Sequence, residues 1–366
     1  MVSAPTKRLI AIITGASSGI GKATAEYFAE KGYSLSLNGR NEKALEATVN
    51  SCITKGLSKD SVLLDDIFNI LITAGDLTDE KVATSLIECT VEKFGRTDSL
   101  INAAGVLING IIFNVEIILL SSEALIECNS SDDFGDMEKD SDTSQRLHDL
   151  GKVMDCSMDD YDYLMNVNLR SIVQLTRKAI PHLIKTKGSI VNVSSINGPC
   201  SVSLLMFFIQ QFAKNQMTLL KLKLCLGELP KLELYSGDHS VKFGLNPKSN
   251  LFILGRKFGG VTFYCMSKAG LDQFTKCLAI ELGPEGVRVN SVNPGVIITD
   301  IHKRSGMNDK DYHEFLNRTA KFAALGKIGK SADVARAIYF LASDESSFIT
   351  GDLLRIDGGR GIMHLR

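Results

Sequence analysis

Leu9–Ile13 is a run of five apolar residues. It meets a glycine-rich turn, Thr14-Gly15-Ala16-Ser17-Ser18-Gly19-Ile20-Gly21, and a helical pattern follows over residues 20–31. Few features restrict a fold as strongly. A buried strand feeding a tight turn and then a helix opens a βαβ unit, and such units build parallel sheets. Gly15 permits the sharp turn, Gly19 lets backbone approach a pyrophosphate, and Gly21 lets the helix pack close to the sheet. The helix N-terminus offers free N–H groups and partial positive charge, so Ser17, Ser18 and Ile20 join the glycines as candidate dinucleotide contacts. Three glycines can mark a mere tight turn; their placement directly after the first strand favours dinucleotide binding.

The rest of the chain keeps the same rhythm. Strand-like runs recur at 34–38, 98–102, 189–194 and 286–292. Helical patterns recur at 42–55, 79–94, 159–185, 265–282 and 331–342. Alternation of this kind predicts an α/β fold: one Rossmann-type, doubly wound parallel sheet with helices on both faces, spanning 1–366 as a single domain. Two stretches break the rhythm. Residues 107–152 carry ten acidic against three basic side chains, and residues 202–257 carry eight basic against three acidic. Loops beyond about 12–15 residues are uncommon inside compact domains, so both read as irregular insertions. A smaller disturbance covers Asp65–Leu71.

Charge narrows the function classes. Lys+Arg 41 against Asp+Glu 42 gives no basic excess for nucleic acid. The eight cysteines form no C-x-x-C pair, and the six histidines form no H-x-x-x-H, so a zinc site has no support and free thiols in a reducing compartment are expected. The first apolar run is too short for a signal peptide or a membrane span, and the polar residues within Val202–Leu226 argue against a spanning helix there. The expected location is the cytoplasm, with no membrane partner.

Many NAD-binding folds place a carboxylate about 20 residues beyond the glycine turn, for the ribose 2′-OH. Here that region is Asn38-Gly39-Arg40-Asn41, without one. Arg40 is suited to a 2′-phosphate, which favours NADP(H) and leaves NAD(H) possible; the alternative is a solvated side chain at a helix start. Tyr264 and Lys268 are spaced i, i+4 and share a helix face. An ammonium near a phenol would lower the phenol pKa and tune Tyr264 for proton exchange with a carbonyl or alcohol oxygen. Ser195 ends the strand-like run 189–194, at the strand end where α/β sheets bind ligands, and could donate to that oxygen or simply cap the next turn.

These residues fall in a fixed order. Thr14–Gly21 is followed by Asp76-Leu77-Thr78, Asn102-Ala103-Ala104-Gly105 and Asn166-Val167-Asn168-Leu169. Ser195, Tyr264/Lys268, Asn293-Pro294-Gly295 and Asp357-Gly358-Gly359 come next. In this order the chain resembles the short-chain dehydrogenase/reductase family, and within it the members similar to 3-oxoacyl-acyl-carrier-protein reductases. The resemblance implies Tyr264 as acid/base, Ser195 as the group polarising the carbonyl, and Lys268 at the nicotinamide ribose. It implies that Asn168 helps hold a proton-relaying water chain and that Asp76 and Leu77 contact adenine. Asn102, with Ala103 and Gly105, would border the cofactor, and Pro294, Ile297 and Thr299 would hold the nicotinamide end. It further implies reduction of a ketone to a secondary alcohol, on a 3-oxoacyl thioester or a small lipophilic ketone, by a homodimer or homotetramer.

The spacing departs from the family. Ser195 and Tyr264 lie 69 positions apart and Asn102 and Asn168 lie 66 apart, both well beyond the family's short connections. The two irregular stretches account for the excess. They are either genuine insertions, for which loop-closure entropy grows slowly with length, or untranslated segments carried into the sequence. Interruption beside the active-site elements also motivates a rival reading, a catalytically impaired dinucleotide-binding protein. An NAD-dependent alcohol or steroid-type dehydrogenase is a further alternative.

Overall fold

The computed structural model describes residues 8–56, 70–107, 157–198 and 261–362. Apart from Leu107, the stretches 107–152 and 202–257 lie outside the described residues. Strands β1 (Ile10–Ile13), β2 (Ser34–Gly39), β3 (Ile70–Ala74), β4 (Ser99–Asn102), β5 (Ser189–Val193) and β6 (Arg288–Pro294) alternate with helices. Short strands β7 (Ile297–Ile298) and β8 (Gly329–Lys330) pair with each other, and β9 (Leu353–Ile356) closes the series. The helices are α1 (Gly19–Glu30), α2 (Glu42–Gly56), α3 (Glu80–Phe94), α4 (Met158–Met165), α5 (Ser171–Thr186), α6 (Thr262–Leu282), α7 (Ile301–Arg304), α8 (Asp309–Ala320) and α9 (Ser331–Ala342).

The main sheet has seven strands in the order β3-β2-β1-β4-β5-β6-β9, every pair parallel. Chain order reverses between β1 and β4, and that switch point opens a crevice at the strand carboxyl ends. The core follows from strand pleating. Ala11 and Ile13 pack on one face with Phe28, Leu45 and Ile338; Ile12 packs on the other with Leu86, Leu175 and Leu278. Among the described residues, no helix is long and apolar enough to cross a membrane.

Two expectations need correction. Ile70 and Leu71, assigned to an interruption, open β3; residues 57–69 are outside the described set. The acidic Asp65-Asp66 just upstream hid the strand's short apolar run. The helix expected over 159–185 runs unbroken but is not α-helical throughout. A π-helical turn at Asn166–Arg170 separates α4 from α5. Hydrophobic periodicity over so long a window averages out one extra residue, so the pattern reads as a single helix.

A buried polar seam ties the sheet centre to its helices. Asn102 Nδ2 donates to Asn192 Oδ1 at 2.8 Å and to Thr176 Oγ1 at 3.2 Å, and Asn192 Nδ2 donates to Thr275 Oγ1 at 2.9 Å. These bonds join β4, β5, α5 and α6. Asn102 is fully buried, and its side-chain amide is taken up in linking these elements.

Candidate active site

The glycine turn sits at the switch point. Gly15 has φ +65°, and a Cβ there would lie 2.9 Å from the Ala103 carbonyl oxygen and from the Ala104 nitrogen. A Cβ on Gly21 would fall 2.3 Å from the Gly15 carbonyl oxygen, so strand and helix can meet only through glycine. Thr14 Oγ1 accepts from the amides of Ala103 (3.0 Å) and Ala104 (3.1 Å), fastening the turn to the end of β4. In sequence Thr14 only opens the glycine motif; its cross-strand role depends on β1 and β4 being neighbours. At the start of α1 the Ser18 side chain makes no capping bond, and the first turn holds no acidic residue. That N-terminus fits a pyrophosphate: its backbone donors are not capped, and its dipole is not opposed.

Arg40 follows β2, and the sheet brings it a carboxylate absent from its own neighbourhood in sequence. Asp76, after β3, places Oδ2 3.7 Å from Arg40 Nη1, which also donates to the Tyr163 hydroxyl at 3.4 Å. Asp76 Oδ1 accepts from both the amide and the hydroxyl of Thr78 at 2.9 Å. Asp79, not Asp76, caps α3. Leu77 is buried in the core cluster with Leu86 and Leu100, so its side chain is committed to packing. Any adenine contact from Leu77 must be made by backbone.

Tyr264 and Lys268 occupy the first two turns of α6. Lys268 is buried, its Nζ donating to the Val193 carbonyl at 2.9 Å. The Ser195 hydroxyl lies close enough to the Tyr264 phenol to act on its pKa. Ser195 Oγ also accepts from the Asn197 amide at 3.1 Å. Asn168 lies in the π turn, where its Oδ1 accepts from the Val106 amide at 2.8 Å and its Nδ2 donates to the Val106 carbonyl at 2.9 Å. The same Nδ2 donates to Ser267 Oγ at 3.2 Å, and Ser267 donates on to the Tyr264 carbonyl at 2.8 Å. Ser267 escaped the sequence reading, although its i+3 spacing from Tyr264 was a usable signal. Gly105 lies between: a Cβ there would be 3.4 Å from both Asn168 Oδ1 and Lys268 Nζ.

One electrostatic expectation is reversed. Burial pushes the Tyr264 phenol up to about 12, and the Ser195 hydroxyl opposes this without overcoming it. The Lys268 ammonium lies 5.7 Å from the ring centre, engaged with Val193, and is itself brought down to about 8 by burial. Desolvation thus outweighs the charge that was expected to favour a phenolate.

At the end of β6, the Pro294 carbonyl accepts from the Ile196 amide at 3.1 Å. Ile297 is buried in the core, so any contact it makes with a cofactor must come from its backbone. Thr299 approaches the glycine turn, its Cγ2 3.3 Å from where a Gly19 Cβ would lie. Contacts join the expected residues in groups: Thr14 with Ala103 and Ala104, Arg40 with Asp76, Lys268 with Val193, Asn168 with Val106, and Thr299 beside Gly19, while Leu77 and Ile297 are buried in the core.

This sheet order, with a glycine-rich turn at its switch point, is that of a dinucleotide-binding Rossmann fold. Comparison with known proteins narrows the class. A family model described as "short chain dehydrogenase" matches residues 9–130 and 147–207, and one described as "Enoyl-(Acyl carrier protein) reductase" matches 253–360. The chain is 27% identical to a 3-oxoacyl-[acyl-carrier-protein] reductase of Thermotoga maritima, over 96% of each chain. It is 25% identical to a meso-2,3-butanediol dehydrogenase of Serratia marcescens, over 96% of this chain and 93% of that one. A cofactor-containing short-chain dehydrogenase/reductase structure from Caenorhabditis elegans superposes with TM-score 0.65 at 26% identity, covering 97% and 96% of the two chains. The chain belongs to the short-chain dehydrogenase/reductase family, NAD(P)-binding oxidoreductases that interconvert CH–OH and C=O groups.

Proposed function

We propose that this chain is an NADP(H)-dependent carbonyl reductase whose Tyr264 donates the proton to the carbonyl oxygen. The observation that carries the reading is the meeting of Tyr264, Ser195, Lys268 and Asn168 at the strand ends beside the glycine turn. Reduced nicotinamide, when bound, supplies the hydride. The chain's own residues supply position and protons. The Tyr264 phenol is protonated at neutral pH, as a tyrosine ordinarily is, and can donate to the oxygen of a carbonyl being reduced. Ser195 offers a second hydroxyl to the same oxygen. Lys268 brings a buried cation to the ribose side, and Asn168 fixes Val106 and Ser267 around the pair. Arg40 supplies the charge for a 2′-phosphate, and a 3-oxoacyl thioester is the first substrate class to try, given the Thermotoga maritima relative.

A second reading concerns the cofactor. The Asp76 carboxylate near Arg40 (3.7 Å) partly offsets the guanidinium and could accept from a ribose hydroxyl, which favours NAD(H). The test is NADPH and NADH oxidation by the full chain across 3-oxoacyl thioesters and small lipophilic ketones. A chain that binds NADPH yet turns over none of them would overturn the proposal.

A further inference from the structure

Asp272 is a buried carboxylate on the catalytic helix that the reaction outlined above does not use. It lies one turn beyond Lys268 and two beyond Tyr264 on α6, on the same side of the helix. Asn293, at the end of β6, is fully buried. Its Nδ2 lies 3.1 Å from each Asp272 oxygen and 2.8 Å from the Ser195 carbonyl. The Asn293 amide has two N–H donors, and these contacts use both. Its Oδ1 accepts from Ser291 Oγ at 3.1 Å, which fixes the orientation of the amide.

The turn that carries Ser195 lies against the same carboxylate. Ser194 donates its hydroxyl to the Lys268 carbonyl at 3.2 Å, one turn from Asp272, and its side chain works against the rise that burial causes in the Asp272 pKa. Gly198 approaches so closely that a Cβ there would lie 2.1 Å from Asp272 Oδ2. Asp272 is thus where the helix of Tyr264 and Lys268, the turn of Ser194–Gly198 and the end of β6 converge. A buried carboxylate is costly unless its oxygens are hydrogen-bonded, and here the donor is Asn293, which also bonds the turn that must be aligned with α6.

We propose that Asp272 is a positioning residue: by holding Asn293, and by packing against Gly198, it sets where Ser195 stands relative to Tyr264. This inference rests on the carbonyl-reductase reading for its kinetic test, and a structural readout keeps the two separable. The position would act on kcat, because misplacing a hydroxyl that engages the reacting oxygen weakens an interaction strengthened in the transition state. It would leave dinucleotide binding nearly unchanged at a pH where Lys268 stays charged, since no described contact joins Asp272 to the glycine turn or to Arg40 and its one link to the cofactor side is the charge it presents to Lys268.

The experiment compares the full-length wild type with Asp272→Ala and Asp272→Asn. It measures kcat, KM, NADPH Kd, melting temperature and the crystallographic separation of the Ser195 and Tyr264 hydroxyls. Asp272→Ala is expected to lower kcat at least tenfold with NADPH Kd within twofold, and to widen the Ser195–Tyr264 separation. Asp272→Asn keeps an acceptor for Asn293 and is expected to recover most of the lost kcat and the short separation. Should Asp272→Ala fail to fold, Asp272→Ser takes its place with the same expectations. Wild-type kcat in Asp272→Ala or its serine substitute overturns the proposal. So does a loss of kcat and NADPH affinity in parallel, which marks a merely structural role. If the wild type itself shows no turnover, the carbonyl-reductase reading fails, and the crystal structures alone decide the inference: an unmoved Ser195 in the variant overturns it.

Discussion

Lys268 Nζ donates to the Val193 carbonyl across 2.9 Å. Helix α6 is thereby tied to the strand whose next two residues are Ser194 and Ser195. The bond also holds an ammonium inside the protein, where burial brings its pKa down to about 8.

That depressed value sets a pH window. Below pH 8 the buried amine is charged; between about 8 and the ordinary 10.5 it is neutral in the folded chain and charged in the unfolded one. The unfolded state then binds more protons, so this group's contribution to stability rises with pH across that window. A shift of this size corresponds to about 3 kcal/mol of penalty below pH 8. In urea unfolding, the stability difference between Lys268→Met and wild type should change by up to that amount between pH 7 and pH 10.5, in favour of wild type. The same deprotonation should weaken NADPH binding above pH 8 in wild type, whereas binding to Lys268→Met should lack this step.

Replacing Tyr264 by Phe removes the hydroxyl and keeps the ring. On the reading proposed above, kcat falls by roughly 10²–10⁴, the usual contribution of a positioned proton donor. NADPH Kd should stay within a few-fold, and the melting temperature should hardly move. Retained turnover in Tyr264→Phe would remove this residue from the chemistry.

The glycine turn makes a steric prediction. Gly21→Ala forces a Cβ to 2.3 Å from the Gly15 carbonyl oxygen, a backbone atom with no rotamer to give way. The variant should lose several degrees of melting temperature and at least tenfold in dinucleotide affinity. Gly283→Ala is the matched control. Its φ is −54°, and nothing lies within 4 Å of its Cβ position, so both properties should remain as in wild type.

Arg40 and Asp76 offer a test of cofactor choice. Both side chains are substantially exposed, so solvent screens their interaction. Arg40→Ala should weaken NADPH about tenfold and leave NADH within twofold, the lower range for a charge-assisted hydrogen bond. Asp76→Asn removes the competing charge and should tighten NADPH relative to NADH. Titration of both dinucleotides by fluorescence reads the result. Equal effects on NADPH and NADH in Arg40→Ala would exclude a 2′-phosphate role.

The parts of this molecule legible in sequence are those written locally. The glycine turn fits within eight residues, and Tyr264 and Lys268 are one helical turn apart, so periodicity and spacing suffice. Most strands announced themselves as apolar runs. Ile70–Ala74 did not, because acidic residues precede it and the run is short. Leu353–Ile356 and Asp309–Ala320 also went unread; the first is a four-residue strand, and the second is mostly polar with few buried positions. Relations across the sheet were out of reach. Asp76 meets Arg40 only because β2 and β3 are neighbours, and Asn293 meets Ser195 only because β5 and β6 are. The rise of the Tyr264 pKa was hidden for a similar reason: spacing reveals a nearby cation, whereas desolvation depends on everything packed around the ring.

The π turn at Asn166–Arg170 has a consequence for how this segment tolerates change in length. It accommodates one residue more than an α-helical turn, and so fixes the phase between α4 and α5. Deleting a single residue there would rotate one helix against the other by about 100°. Tyr163 would swing away from Arg40 while Leu175 and Leu183 stayed in the core, and Asn168 would no longer sit opposite Val106. At this turn the residue count matters as much as residue identity, because the count decides which way the upstream helix faces.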